Sequence, residues 1–332
     1  CNTLGSLLFM RVPLPAAMIT TSTGVAGNMS KVPVMLVSMS CKSKSLRIIG
    51  GLLAAALALV LTACSVVLLG YSQLPDLAYW WIDSYLDLND AQSAPLRGDL
   101  SRLYDWHRQT ELPLLANALA SLQAQASQDT SPQRLCQRIE VFKPRLQAIL
   151  IQATPGFSAL AERLRPEQLD HLQHQLEKRQ QDWRKEWQTG TRAEQLERRT
   201  ERLIERSERF YGRLDPAQRA QLRASVQASR FDPALAEAEM LRRHQDLLQT
   251  LKTVAQSGLS APRINADIEQ LLGRMMNSPN PAYRAHMDTV QQENCQTFAS
   301  LHNSSTAAQR QKLALTLAGF EADARALIPA KP

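Results

Sequence analysis

From about residue 74 onward, apolar side chains recur at intervals of three and four positions, the period of a helix with one buried face. The clearest stretch runs from Pro166 toward Tyr211. There Leu169, Leu172, Leu176, Trp183 and Trp187 keep that spacing, and Leu196, Leu203 and Phe210 continue at sevens after a phase shift around Gly190. Such a seam predicts a long coiled-coil-like helical segment. No segment alternates in the two-residue period of a strand. Prolines, glycines and polar caps punctuate the pattern: Pro75, Asn89-Asp90 with Pro95, Pro113, Thr130-Ser131-Pro132, Pro155-Gly156, Pro166, Gly190, Gly212, Asp215-Pro216, Asp232-Pro233, Gly258, Pro279, Pro281 and Asn303-Ser304-Ser305. They predict about eight to ten helices, with Pro113 and Pro144 each kinking or ending one.

Composition points the same way. Residues 64–332 hold only fourteen Val plus Ile and eight Gly, so the β-branched residues a sheet needs are scarce while helix formers dominate. The expected fold is all-α: a multi-helix antiparallel bundle over 76–330, with enough chain to bury a real core.

One short pattern repeats. Leu88-Asn89-Asp90-Ala91-Gln92, Leu164-Arg165-Pro166-Glu167-Gln168 and Leu214-Asp215-Pro216-Ala217-Gln218 share Leu-x-x-x-Gln, and Ser305-Thr306-Ala307-Ala308-Gln309 matches in all but its leucine. Each reads as a helix start: the leucine staples the incoming chain, the next residue is a polar cap in three of the four, and the glutamine reaches back to a free backbone N–H. These starts resemble the Leu-Thr-x-x-Gln motifs of the Spy and CpxP type of small helical periplasmic proteins, a resemblance that implies an ATP-independent chaperone or stress modulator. The first three depart from that motif in lacking Thr at the second position, and the fourth lacks the leucine.

The N-terminal part has a different character. Residues 1–38 contain no acid and no helical period, and read as an over-extended or disordered leader. In 39–63 the cations Lys42, Lys44 and Arg47 precede an apolar run from Ile48 to Val60, the layout of a signal peptide. Small Ala63 and the thiol of Cys64 close it, and Leu61-Thr62-Ala63-Cys64 resembles the lipobox of bacterial lipoproteins. That resemblance implies cleavage before Cys64, lipid attachment to its sulfur, and a linker over 64–75. Ser65 after the cysteine then favours an outer-membrane lipoprotein facing the periplasm, with an inner-membrane anchor as the alternative. An uncleaved anchor is the rival reading, because the apolar run continues to Leu69.

Removing 1–63 takes away five of the 38 basic residues and none of the 31 acidic ones, which leaves an excess of two. The overall +7 therefore belongs mainly to the leader, and no nucleic-acid partner is expected. Between Lys178 and Arg213 lie eleven basic and seven acidic residues. They read as a solvated face with pairs such as Glu194 to Arg198 and Glu205 to Arg209, or as a cationic arm toward anionic headgroups. Tyr71, Tyr79, Trp80, Trp81 and Tyr85 follow closely after Cys64, where they serve either a core stripe or a membrane interface.

Candidate chemistry is thin. There is no nucleophile elbow, Walker loop, zinc-protease motif or dinucleotide glycine pattern, and no cofactor is expected. His171 and His174 share a helix face without a demanded third ligand. His107 and Glu111, spaced i,i+4 beside Arg108, form a candidate binding cluster or a structural ion pair. Cys136 and Cys295 are either a disulfide suited to an oxidising compartment or two buried thiols.

A wider resemblance covers most of 64–332. Tyr79 to Tyr85 with Leu88 and Gln92, Trp106-His107-Arg108 with Glu111-Leu112-Pro113, the Gly212-x-Leu214-x-x-x-Gln218 turn and the last helix near Gln309 are similar to a family of uncharacterised proteobacterial lipoproteins. It implies location and shape without an activity. The expected function is a non-enzymatic, lipid-anchored envelope protein that binds a protein partner or an unfolded client. The alternatives are a helical cell-wall hydrolase or metal-dependent enzyme, and a structural spacer.

Overall fold

The computed structural model describes residues 65–256 and 258–330. Cys64, the signal segment and the leader lie outside the described residues. Helix α1 (Ser65–Ser72) belongs to a different compact unit from the chain from Leu74 onward, and no helix among the described residues is long and apolar enough to cross a membrane.

The second unit, from Leu74 onward, is all-α among its described residues. Its helices are α2 (Leu74–Leu86), α3 (Asp90–Trp106), α4 (Leu112–Ala124), α5 (Pro132–Glu140), α6 (Phe142–Ala161), α7 (Pro166–Trp187), α8 (Arg192–Tyr211), α9 (Pro216–Ala228), α10 (Pro233–Gln256), α11 (Ala261–Met276), α12 (Pro281–Asn303) and α13 (Ala307–Leu327). A π turn, His107–Glu111, joins α3 to α4.

The number of helices exceeds the expected eight to ten, and two breaks fall differently from expectation. Pro95 lies inside α3 and Pro155 inside α6 rather than between helices. Both prolines are exposed, as are Ala91 and Ile151, whose carbonyls lose their intrahelical partners, so the missing bonds fall on faces turned to water. The segment from Pro166 to Tyr211 is two helices, not one. Gly190 breaks it with φ of 85°, a left-handed backbone suited to glycine.

The twelve helices form two successive halves, α2–α7 and α8–α13, with the same pairing scheme. In each half the first helix packs on the second and on the sixth, and the second packs on the fifth: α2 on α3 and α7, α3 on α6; α8 on α9 and α13, α9 on α12. The third and fourth helices cross to the other half. Thus α4 lies along α13 and α10 along α7, while α5 packs on α12 and α11 on α6.

The apolar sequence repeats accordingly. Phe157, Leu160, Gln168, Leu172 and Leu176 stand at the same intervals as Phe298, Leu301, Gln309, Leu313 and Leu317. Phe157, Leu160, Leu172 and Leu176 pack around Leu164, Ile264 and Ile268, and Phe298, Leu301 and Leu313 around Ile204, Leu214 and Leu222.

Candidate functional site

The four Leu-x-x-x-Gln starts meet in two pairs. At each start the glutamine Oε1 accepts from the N-cap backbone N–H, at 3.1 Å for Asn89 and Arg165, 3.0 Å for Asp215 and 2.9 Å for Thr306. Asn89, Asp215 and Thr306 return the bond through their side chains, completing capping boxes. The amides then face each other. Gln92 and Gln168 exchange bonds of 3.0 and 2.9 Å, and Gln218 and Gln309 exchange two of 2.8 Å. Each Nε2 also donates to a carbonyl preceding the opposite start, at Arg163, Asp87, Ser304 or Arg213. All four amides are buried and have their donors and acceptors engaged. The sequence pattern disclosed the caps, but the pairing needed the third dimension.

The cluster His107, Arg108 and Glu111 occupies the π turn. Pro113 explains the turn: it has no N–H to offer the carbonyl of Gln109, and Leu112 N–H instead bonds back to His107 O, five residues away. Arg108 donates through Nε to Leu327 O at 2.7 Å and lies over the Tyr104 ring. Glu111 is buried, its Oε2 3.7 Å from Arg145 and without a hydrogen bond. Burial pushes the His107 imidazole below its ordinary value, and Glu111 pulls it the other way. His171 and His174 are engaged separately, with Ser84 O and Asp170 O. Among the described residues no group of three His, Cys, Asp or Glu is placed to hold a metal.

Cys136 of α5 and Cys295 of α12 are joined by a disulfide, with Cα atoms 5.7 Å apart and a sequence separation of 159. The early aromatic string divides its roles. Tyr79 is buried and meets Ser93 through its hydroxyl, Trp81 and Tyr85 pack ring to ring, and Trp80 is 58% exposed.

A cationic cavity of about 110 Å³ lies between α8, α9 and α12, beside the end of α7. Arg199, Arg202 and Arg206 reach it from one face of α8, where the charge pattern predicts a solvated face or a cationic arm. Arg202 pairs with Glu186 and lies over Trp187, and Arg199 lies 5.1 Å from the centre of the Phe231 ring. The wall on α12 carries Glu293, already bound by Arg230 and Ser229, and Asn294. The Asn294 Nδ2 is buried and has no hydrogen-bond partner. Burial, with Arg192 adding to it, pushes the Arg199 guanidinium below its ordinary value, against the pull of Glu293. The arrangement offers positive charge and an unspent N–H to something negative.

Along α8, Glu194 still feels the charge of Arg198, as the spacing led one to expect. Glu194 caps the helix with Thr191, and the ion pairs run between helices, from Glu186 to Arg202, Glu197 to Arg223 and Glu208 to Arg219. No curated protein and no solved structure matches the chain significantly. Residues 84–284, which include both members of the first glutamine pair, the cationic cavity's α8 and α9 walls, and the π turn, match the Family of unknown function (DUF6279), and the chain belongs to that family.

Proposed function

We propose that this is a lipid-anchored protein of the cell envelope whose helical body binds a partner and catalyses no reaction. The observation that carries the reading is the bridge between Cys136 and Cys295, which persists in an oxidising compartment and accords with the export string ending at Cys64. The fate of the titratable cluster supports binding over catalysis, because Arg108 is drawn to Leu327 O, away from His107 and Glu111. A protein partner or unfolded client in the periplasm is the occupant this reading expects. Cys64→Ser should abolish labelling of the full chain by radioactive palmitate and leave the precursor unprocessed; labelling that survives the change overturns the anchor. The binding half is tested by the full chain in mild detergent with a chemically denatured client. Aggregation unaffected at equimolar protein counts against a chaperone role.

The enzymatic reading draws on one feature, the buried Glu111 Oε2 that lacks a hydrogen-bond partner within reach of Arg145. Glu111→Gln, nearly isosteric, separates the two. A cell-wall-degrading activity abolished by that change favours the enzyme, whereas the binding reading expects client binding to be unchanged.

A further inference from the structure

We infer that the cavity between α8, α9 and α12 is an anion site that takes a phosphate group. Arg199, Arg202 and Arg206 bring three guanidinium groups to a space the size of one small oxyanion. The acid that lines the cavity, Glu293, is held by Arg230 and Ser229 from outside it. Asn294 adds a directional donor, since its buried Nδ2 lacks a partner and a buried amide N–H left unmade is costly. An oxyanion in the cavity supplies the missing acceptor.

The other half of the molecule shows that this cavity is not a by-product of the packing scheme. With the glutamine starts in register, Asp76 stands where the second half has Arg202, Asp99 where it has Ser225, Ala153 where it has Asn294, and Gly156 where it has Thr297. There the helices approach closely at one point. Gly156 lies so close to Asp99 that an added Cβ would sit 2.8 Å from its Cγ, and Asp76 is paired with Arg97 at 2.7 Å. One scheme of helices therefore carries paired aspartates in one half where the other places Arg202 and Ser225 at the cavity. Three guanidinium groups lining one cavity suit a tetrahedral, multiply charged group better than a planar carboxylate. The inference stands apart from the envelope reading and holds wherever the chain resides.

The test uses the full-length chain in non-ionic detergent at fixed chloride. Radiolabelled inorganic phosphate in equilibrium dialysis should bind saturably at one site per chain, and phosphate should raise the thermal midpoint. Ser225→Asp, which places the first half's acid in the cavity, and Asn294→Leu should each weaken binding tenfold or more. Lys252→Gln, an exposed cation on α10, should not. Glycerophosphoglycerol, a soluble lipid headgroup, distinguishes the source: tighter binding than inorganic phosphate points to a headgroup, weaker binding to free phosphate. The inference is overturned by absence of both saturable binding and a thermal shift, by affinity unchanged in both variants, or by equal affinity for acetate.

Discussion

At the scale of single residues, the four buried glutamines concentrate the most hydrogen bonding in the least surface. Gln92→Leu would strip the Asn89 N–H of its cap and leave the Gln168 amide facing a methyl group, a loss of about 2–4 kcal/mol by the sum of a cap and a buried unsatisfied amide. Replacing both Gln92 and Gln168 by Leu should cost less than the two single changes together, because the second removes a group the first has already orphaned. Urea denaturation of the three variants measures this; single losses that simply add would sink the paired-amide account. Histidines supply a separate handle. Burial, aided by Arg179, pushes His244 down to about 4, so the folded chain holds that proton more weakly than the unfolded one. Stability is therefore complete above the ordinary value of 6.5 and drains as pH falls toward 4, by up to about 3 kcal/mol before solvent screening. His107 and His302 are shifted in the same direction, also by burial. His244→Phe should flatten the loss between pH 6.5 and 5, and an unchanged slope would remove His244 from the explanation. At this scale the sequence was legible where chemistry is local: Asn89, Asp215 and Thr306 cap because each has a glutamine three positions along the chain. The Tyr211 hydroxyl on His302 Nδ1, at 3.0 Å, was invisible, since 91 residues separate the two.

At the scale of helices, legibility tracked the apolar period and failed where a proline or an ion pair depends on its surroundings. Pro166, Pro216 and Pro281 open helices, and Gly190 and Gly212 end the stretches before them at positive φ, as short-range rules require. Pro95 and Pro155 carry the same sequence signal yet stay inside helices, because the bond each removes lies on a wet face. The expected seam from Pro166 to Tyr211 was real as a period but not as one object. Leu169, Leu172 and Leu176 enter the core shared with Ile264 and Ile268, whereas Ile204 and Tyr211 enter the one around Leu222 and Leu301. The disulfide joins elements from different halves, α5 and α12, and closes a loop of 159 residues. Loop-entropy reasoning gives a ceiling of about 5 kcal/mol for a loop this long, with about 2–4 more usual. Reduction should lower the urea midpoint by a corresponding amount without loss of helical circular dichroism at low urea. A midpoint indifferent to reductant would show that α5 and α12 are held by packing alone.

The unit from Leu74 onward poses a question that no single helix answers, namely why its two similar halves form one compact body rather than two domains. The crossing of α4, α5, α10 and α11 answers it. Each half keeps the four helices around its own glutamine pair and sends the other two to cover its neighbour, so an isolated half would expose the faces of its fifth and sixth helices. Stranded apolar surface at about 25 cal/mol per Å² is then lost from both partners at once, and Leu172, Leu176, Leu251 and Val254 would number among the residues uncovered. The crossing was not legible in the sequence, because α7 has the same amphipathic period whether it covers α10 or any other apolar face. A protease site placed at Thr189-Gly190, in the turn between α7 and α8, isolates the effect. Cleavage there should leave helicity and the urea midpoint nearly unchanged, and after reduction of Cys136–Cys295 the two pieces should still migrate together. Expressed alone, residues 74–189 should lack a cooperative unfolding transition and regain one on mixing with 190–330. Two pieces that each unfold cooperatively on their own would mean that the crossing decorates two finished domains instead of completing them.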